Sequence, residues 1–310
     1  MTQAPTPTAD TVRRLVRSLL PGGGGPDVRP VAEGGEGGEH STWWVGNRHV
    51  LRLAPDRDSA VRQRRELRLR DLVRPHLGVA VPVSIAHGEW AAGLTYTLDT
   101  RLTGGTAEDH DISAVGEDDL AGLLTGLREV PARQAEGLGA PRTPPRSLES
   151  LRKAAVRAAQ HLAQADEFDP TRLAQLTPPA AAQLTAPAPV LVHHTLRGDH
   201  LVVTADGRVR GVLDWSGAVV GDPAEDIAGL AHAVGSPAAV RAATLAGYGA
   251  RPCLRGLWLA RCDTLIRLSE GVRGADAGRL PPLREQVRRA WEAILLERVT
   301  ELRDGVDETL

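Results

Sequence analysis

The stretch Val190-Leu191-Val192-His193-His194-Thr195-Leu196-Arg197-Gly198-Asp199-His200-Leu201-Val202-Val203-Thr204-Ala205-Asp206-Gly207-Arg208-Val209-Arg210-Gly211-Val212-Leu213-Asp214-Trp215 decides the fold. Asp206-Gly207 lies between two runs rich in β-branched residues, the strongest short-range signal for a hairpin. With the turn centred there, cross-strand partners sum to about 413. His200 then stands across from Leu213 and Asp214, so an imidazole and a carboxylate share one hairpin mouth, fed by the polar loop His193 to Asp199. Such a pair makes a small metal or phosphate site. Downstream, Gly221-Asp222-Pro223-Ala224-Glu225-Asp226 opens a helix, with Asp222 at the N-cap, Pro223 at N1 and Glu225 completing a capping box.

Upstream of this island the chain changes character twice. Residues 1–10 are polar and Pro-rich and are expected to be disordered, and Val12, Leu15, Val16, Leu19 and Leu20 then follow helical spacing. Pro21 to Pro26 breaks that helix, and a second Gly-rich run, Glu33 to Gly38, leads into a strand over Ser41–Val45. Gly46-Asn47 turns the chain into a second strand over Arg48–Leu53. Asp58 is placed to cap a helix from Ser59 to about Arg74. Glu66 lies on its apolar face with Leu69 and Val73. Val79–Val83 and Trp90–Leu98 read as further strand. Beyond Leu102, segments 117–130, 148–166 and 170–185, and the chain from 224 onward, are Ala-, Leu-, Arg- and Glu-rich and helical. The expected fold is α+β: a small β-rich lobe over 11–102 and a larger, mainly helical lobe over 103–310.

Composition removes several function classes. The 310 residues hold 37 basic and 39 acidic side chains, a net charge of −2, so no basic field draws nucleic acid or anionic lipid. No run approaches the roughly 18 apolar residues of a membrane span, and the N-terminus lacks an apolar signal core, which points to a cytoplasmic protein. Two cysteines, Cys253 and Cys262, are too few for a disulfide scaffold or a four-cysteine zinc site and are expected to pack as small hydrophobes. Lys153 is the only lysine, so no mechanism can use a lysine upstream of it. Asp109-His110-Asp111 reads as a solvated loop, Asp166 to Pro170 as a helix stop, and Trp258, Leu259 and Trp291 as core.

Taken together, the island, the Asp214-Trp215 pair and the Gly-Asp-Pro-x-x-Asp element over 221–226 resemble the C-terminal lobe of the aminoglycoside phosphotransferase family, relatives of the protein kinases. The resemblance extends over nearly the whole chain. It implies a bilobal protein-kinase-like fold, in which Glu33–Trp44, with Ser41 and Thr42, is similar to the loop that covers the nucleotide. Arg52 and Glu66 occupy the places of the strand cation and its helix carboxylate, and Tyr96–Leu102, with Thr100 and Leu102, those of the interlobe hinge. It further implies that Asp214 binds Mg²⁺ carrying the phosphates of ATP or GTP, with His200 where a second metal ligand, commonly Asn, is expected. Arginine at 52 keeps the charge and can fork onto phosphate or Glu66.

One departure is chemical. Where the family has His-Gly-Asp, this chain has His193-His194-Thr195. Threonine cannot act as a base near neutral pH, a role typically worth about 10²–10⁴-fold. His194 carries an imidazole that titrates near 6.5 in isolation, whereas Asp199 is four residues further along the loop. The catalytic candidates are therefore His193, His194 and Thr195. Two readings follow: a phosphotransferase acting on a hydroxyl of a small molecule or peptide, or a pseudokinase-like protein that binds nucleotide or acceptor without transfer. The acceptor and the oligomeric state are not encoded in any motif.

Overall fold

In the computed structural model, which describes residues 7–20, 26–31, 41–177, 183–274, 278 and 280–294, the N-terminal third is built on one antiparallel sheet. Its strands are β1 (Val28–Pro30), β2 (Ser41–Val45), β3 (His49–Leu53), β4 (Ser84–Ala91) and β5 (Leu94–Thr100), in the order β1-β2-β3-β5-β4. The Gly46 turn between β2 and β3 has φ +57°, as the hairpin reading requires. Helix α1 (Ala9–Leu19) lays Val12 and Val16 against Trp43, Val45, Leu51, Leu53 and Leu98, a small core of its own. Residues 1–6 lie outside the described residues, but Ala9 and Asp10, expected to be disordered, are helical because Thr8 caps them.

Helix α2 (Arg57–Val73) starts one residue after Asp56, whose carboxylate accepts the Ser59 N–H at 2.7 Å. Asp56, not Asp58, is therefore the cap. Val79–Val83 forms no strand. Its only ladder contact is Ala80 beside Gly211, where Ala80 donates to the Arg210 carbonyl and accepts from the Val212 N–H. The proline at 82 has no N–H to continue pairing.

The rest is α+β with helices dominant: α3 (Ala114–Glu129), α4 (Ala132–Gly137), α5 (Leu148–Gln164), α6 (Ala224–Val234), α7 (Ser236–Leu245), α8 (Ala250–Arg273) and α9 (Leu280–Ala290). The expected helix over 170–185 is a 3₁₀ turn at Pro170–Gln175, and residues 178–182 lie outside the described residues. A large core runs from Leu69 and Val73 of α2 through Leu120, Leu124, Leu162 and Ile227 to Trp258 and Trp291, with both buried cysteines inside it. Among the described residues no helix is long and apolar enough to cross a membrane.

Between these helices sit two short sheets. Strand β7 (Val190–Val192) pairs with β10 (Val219–Gly221), while β8 (Leu201–Val203) pairs with both β6 (Gly105–Thr106) and β9 (Val209–Val212). The β8/β9 register is Leu201 opposite Val212, and Leu213 donates to the His200 carbonyl at 2.9 Å, as expected from the turn at Asp206-Gly207. Leu102 packs on Gly211, where an added Cβ would lie 2.4 Å from Leu102 Cδ1 and displace that side chain from the hairpin.

Candidate active site

The loop between β7 and β8 is pinned from below. Asp226, on the first turn of α6 and fully buried, accepts the backbone N–H of His193 at 2.8 Å and of His194 at 2.7 Å, one on each oxygen. Burial pushes its carboxyl up to about 7, against the pull of the two amides. Asp222 beside it caps the helix through the Ala224 N–H and binds Arg255 at 2.5 Å. The capping box is not formed: the Glu225 carboxylate is turned away and gripped by both Nε and Nη2 of Arg146.

His193 is completely buried, and burial lowers its imidazole to about 3. Its Nε2 meets the Leu213 carbonyl at 2.9 Å, which can only accept, so Nε2 carries the proton and Nδ1 is an acceptor facing the Thr195 hydroxyl at 3.2 Å. Of the three catalytic candidates, His193 is the one walled in, by Trp215, and its contacts hold the loop. Thr195 Oγ1 turns inward, between His193 Nδ1 and the Asp214 carbonyl at 3.3 Å. His194 is exposed, with φ +69°, the left-handed region that glycine adopts freely and that histidine tolerates better than most other residues.

Asp214 also adopts the left-handed region, at φ +55°. Its Oδ1 accepts from the Ser216 hydroxyl at 2.7 Å, which leaves Oδ2 directed at His200 Nε2, 3.6 Å away. Burial alone would raise this carboxyl. His200, the Ser216 hydrogen bond and Arg52 overcome that and hold it at about 2, so it is ionised at any physiological pH. The His200 Nδ1 donates to the Thr195 carbonyl at 2.6 Å, so Nδ1 carries a proton, and Nε2, facing Asp214, has a lone pair to give only in the neutral ring. Asp199, dismissed in sequence as too far along the loop, is brought back: its Oδ2 lies 3.8 Å from the same nitrogen, and Arg197 holds it in a fork.

With the His200 ring neutral, Asp214 Oδ2 and His200 Nε2, 3.6 Å apart, present two donor atoms to one point, a fit for a divalent cation. Among the described residues no group of three or more His, Cys, Asp or Glu side chains converges on such a point. A cation with two protein donors completes its shell with phosphate oxygens and water, the habit of Mg²⁺.

On the sheet side, Arg52 of β3 forks onto Glu66 of α2, Nη1 to Oε1 at 3.0 Å and Nη2 to Oε2. Sequence reading missed the other half of this cluster. Arg70, one turn beyond Glu66, binds Asp99 of β5 through Nη1 and Nη2 at 3.1 Å, and Asp99 Oδ2 is 3.9 Å from Arg52 Nε. Burial works against both charges, but their partners outweigh it: Arg52 is pushed up by Glu66 and Asp99, and Asp99 is pulled down by Arg70 and Arg52. The only signal in the sequence was the four-residue spacing of Glu66 and Arg70. Arg65 of α2 crosses to the Ser216 carbonyl at 2.5 Å, tying this cluster to the Asp214 turn.

The remaining candidates have local partners. Ser41 accepts the Trp43 indole N–H at 2.9 Å, Thr42 pairs across the ladder with Arg52, Thr100 Oγ1 accepts the Val83 N–H at 2.9 Å, and Leu102 packs on Gly211. Residues 32–40, most of the expected nucleotide-covering loop, lie outside the described residues.

Residues 30–257 match the model of the APH family, described as the phosphotransferase enzyme family. Solved structures of similar shape include the GDP complex of wild-type aminoglycoside 2'-phosphotransferase-IIIa, with a TM-score of 0.64 and 18% identity over 90% of this chain and 96% of that one. A GDP and kanamycin complex of APH(2")-IIIa gives 0.64 and 18% over 89% and 97%. The macrolide 2'-phosphotransferase MphH from Brachybacterium faecium, as apoenzyme, gives 0.59 and 23% over 90% and 97%. At these identities the likeness is one of fold, and that fold is protein-kinase-like. A search of curated proteins gives no match.

Proposed function

The chain belongs to the phosphotransferase enzyme family, and from that premise we propose that it moves the γ-phosphate of ATP or GTP onto a hydroxyl of a small molecule. The observation that carries this is the ionised, partly exposed Asp214 carboxylate, one oxygen anchored by Ser216 and the other aimed beside the His200 lone pair. A divalent cation held by these two residues supplies charge neutralisation to the nucleotide phosphates. Arg52 adds fixed positive charge at the same cleft, being close enough to depress Asp214. Asp226 and His193 set the loop's backbone, and Arg65 holds the two sides at their working separation. The lobe over 11–102 covers the nucleotide, and 103–310 receives the acceptor.

A second reading is favoured by one observation: the Thr195 hydroxyl is spent on His193 and the Asp214 carbonyl, and offers no base. On that reading the protein binds nucleotide or acceptor without transfer. Thermal shift with Mg²⁺–ATP and Mg²⁺–GTP tests the nucleotide site, and phosphate release to water by wild type and Thr195→Asp separates the readings. Turnover by the wild type supports the transferase. Turnover only after Thr195→Asp supports the binding protein, and no nucleotide binding in either removes the transferase and the nucleotide-binding form of the second reading.

A further inference from the structure

Beside the loop between β7 and β8 lies a cavity of about 140 Å³ lined by Glu108, Arg197, His232, Arg267, Glu285 and Arg289. Arg197 and Gly198 form its edge, so it begins one residue from Asp199 and two from His200. Its charges divide into spent and unspent. Arg197 is forked onto Asp199, and Arg289 is bound to Glu285 at 2.9 Å and to the carbonyls of Ala107 and Ala233. Arg267, exposed on α8, has no hydrogen bond or ion pair among the described residues, and neither does the Glu108 carboxyl. Burial and the nearby Asp199 push Glu108 up. His232 is buried, with Nε2 against the Ala260 carbonyl at 3.2 Å, so its Nδ1 is left as an acceptor. Burial holds this ring neutral, lowered to about 4.

With Arg197 and Arg289 already paired, the unspent charges are one guanidinium, Arg267, and one carboxyl, Glu108, and a single free carboxyl makes a poor seat for a polyammonium sugar. The volume also lies well below the roughly 300–1,000 Å³ of sites for drug-sized ligands. We propose that this cavity seats the acceptor, and that the acceptor is a small hydroxyl compound carrying one anionic group, carboxylate or phosphate. The anion pairs with Arg267, and the hydroxyl donates to Glu108 or His232 Nδ1. This deepens the phosphotransferase reading and rests on it for the word acceptor. The transfer itself balances simply. The hydroxyl oxygen bonds to the γ-phosphorus, the bond to the β–γ bridging oxygen breaks with its electron pair leaving on the nucleoside diphosphate, and the hydroxyl proton passes to solvent.

The test is calorimetric titration of the full chain with glycerate, glycerol 3-phosphate, glycerol and kanamycin, in wild type and Arg267→Glu. Glycerate or glycerol 3-phosphate, whichever binds, is expected to bind wild type at least tenfold more tightly than glycerol or kanamycin and to lose at least tenfold in Arg267→Glu. Carboxylate and phosphate are distinguished by which of the two probes wins. Tighter binding of kanamycin, absence of binding by both anions, or an unchanged anion affinity in Arg267→Glu would overturn the proposal. Thermal shift with Mg²⁺–ATP and Mg²⁺–GTP on both proteins is read separately. Its failure alongside intact anion binding removes the phosphotransferase reading while leaving an anion site.

Discussion

Two charged regions face each other across the cleft, and they are built on opposite terms. Around Arg52 every charge is matched: Glu66 lies between Arg52 and Arg70, Asp99 lies between Arg70 and Arg52, and three of the four residues are buried. Around Asp214 the matching is incomplete, with one carboxylate oxygen and one imidazole lone pair left facing each other at 3.6 Å. Closed clusters hold a fold in register at little net gain over apolar packing, whereas open ones await a ligand. The difference assigns the two sides their parts: the sheet side positions, the loop side binds.

The sharpest break of this contrast is Asp214→Asn. It keeps size and the Ser216 contact and removes only the charge on the open side. Phosphate release from ATP or GTP should fall by about 10³-fold or more, since several kcal/mol of charge stabilisation are lost at about 1.36 kcal/mol per decade. Unfolding in urea should be little changed. A folding defect in place of the kinetic one would show that Asp214 belongs with the closed cluster.

Glu66→Leu makes the complementary break. It removes the fork from Arg52 and leaves Arg52 and Arg70 to share Asp99. Removing one partner of a buried network costs about 3–5 kcal/mol, read as a shift of the urea midpoint. Arg52→Lys keeps the charge but loses the fork, so its cost should be smaller.

How much of this was legible in the sequence depended on how far apart the partners lie. The β8/β9 register follows from Asp206-Gly207 and strand period alone, and so placed His200 beside Asp214 correctly. The Arg52–Glu66 pair was implied by the resemblance to the phosphotransferase family, and the fork between them bears out that pairing. Asp99–Arg70 was invisible because it requires β5 to be docked under α2, and the capping box failed because Arg146, 79 positions upstream, outbids the local backbone for Glu225. Likewise, His193 looked catalytic because sequence gives residue type without burial.

Acid titration probes the packing beneath the loop. His193 and His232 are lowered by burial to about 3 and about 4, and Asp226 is raised by burial to about 7. Between pH 4 and 6.5 each histidine binds one more proton unfolded than folded, so stability rises with pH. Asp226 binds one more proton folded, so its contribution falls with pH. The net is one proton, giving a gain of about 1.4 kcal/mol per pH unit across that window. Removing the His193 titration, with His193→Phe, should flatten the slope of unfolding free energy against pH.

The finest test concerns His200 alone. Its Nδ1 proton is committed to the Thr195 carbonyl, so the nitrogen that a neutral ring offers to a cation is Nε2. Nitrogen suits Mn²⁺ better than Mg²⁺, whereas an amide oxygen in the same place favours the harder ion. Measured by Mn²⁺ paramagnetic resonance and competition with Mg²⁺ at fixed nucleotide, His200→Asn should shift the Mg²⁺-to-Mn²⁺ affinity ratio by about tenfold toward Mg²⁺. An unmoved ratio would mean that the imidazole never touches the cation. Asp214 would then grip it alone, and His200 would join His193 as a residue that shapes the loop, leaving a single free carboxylate oxygen to account for everything that distinguishes the open side from the closed one.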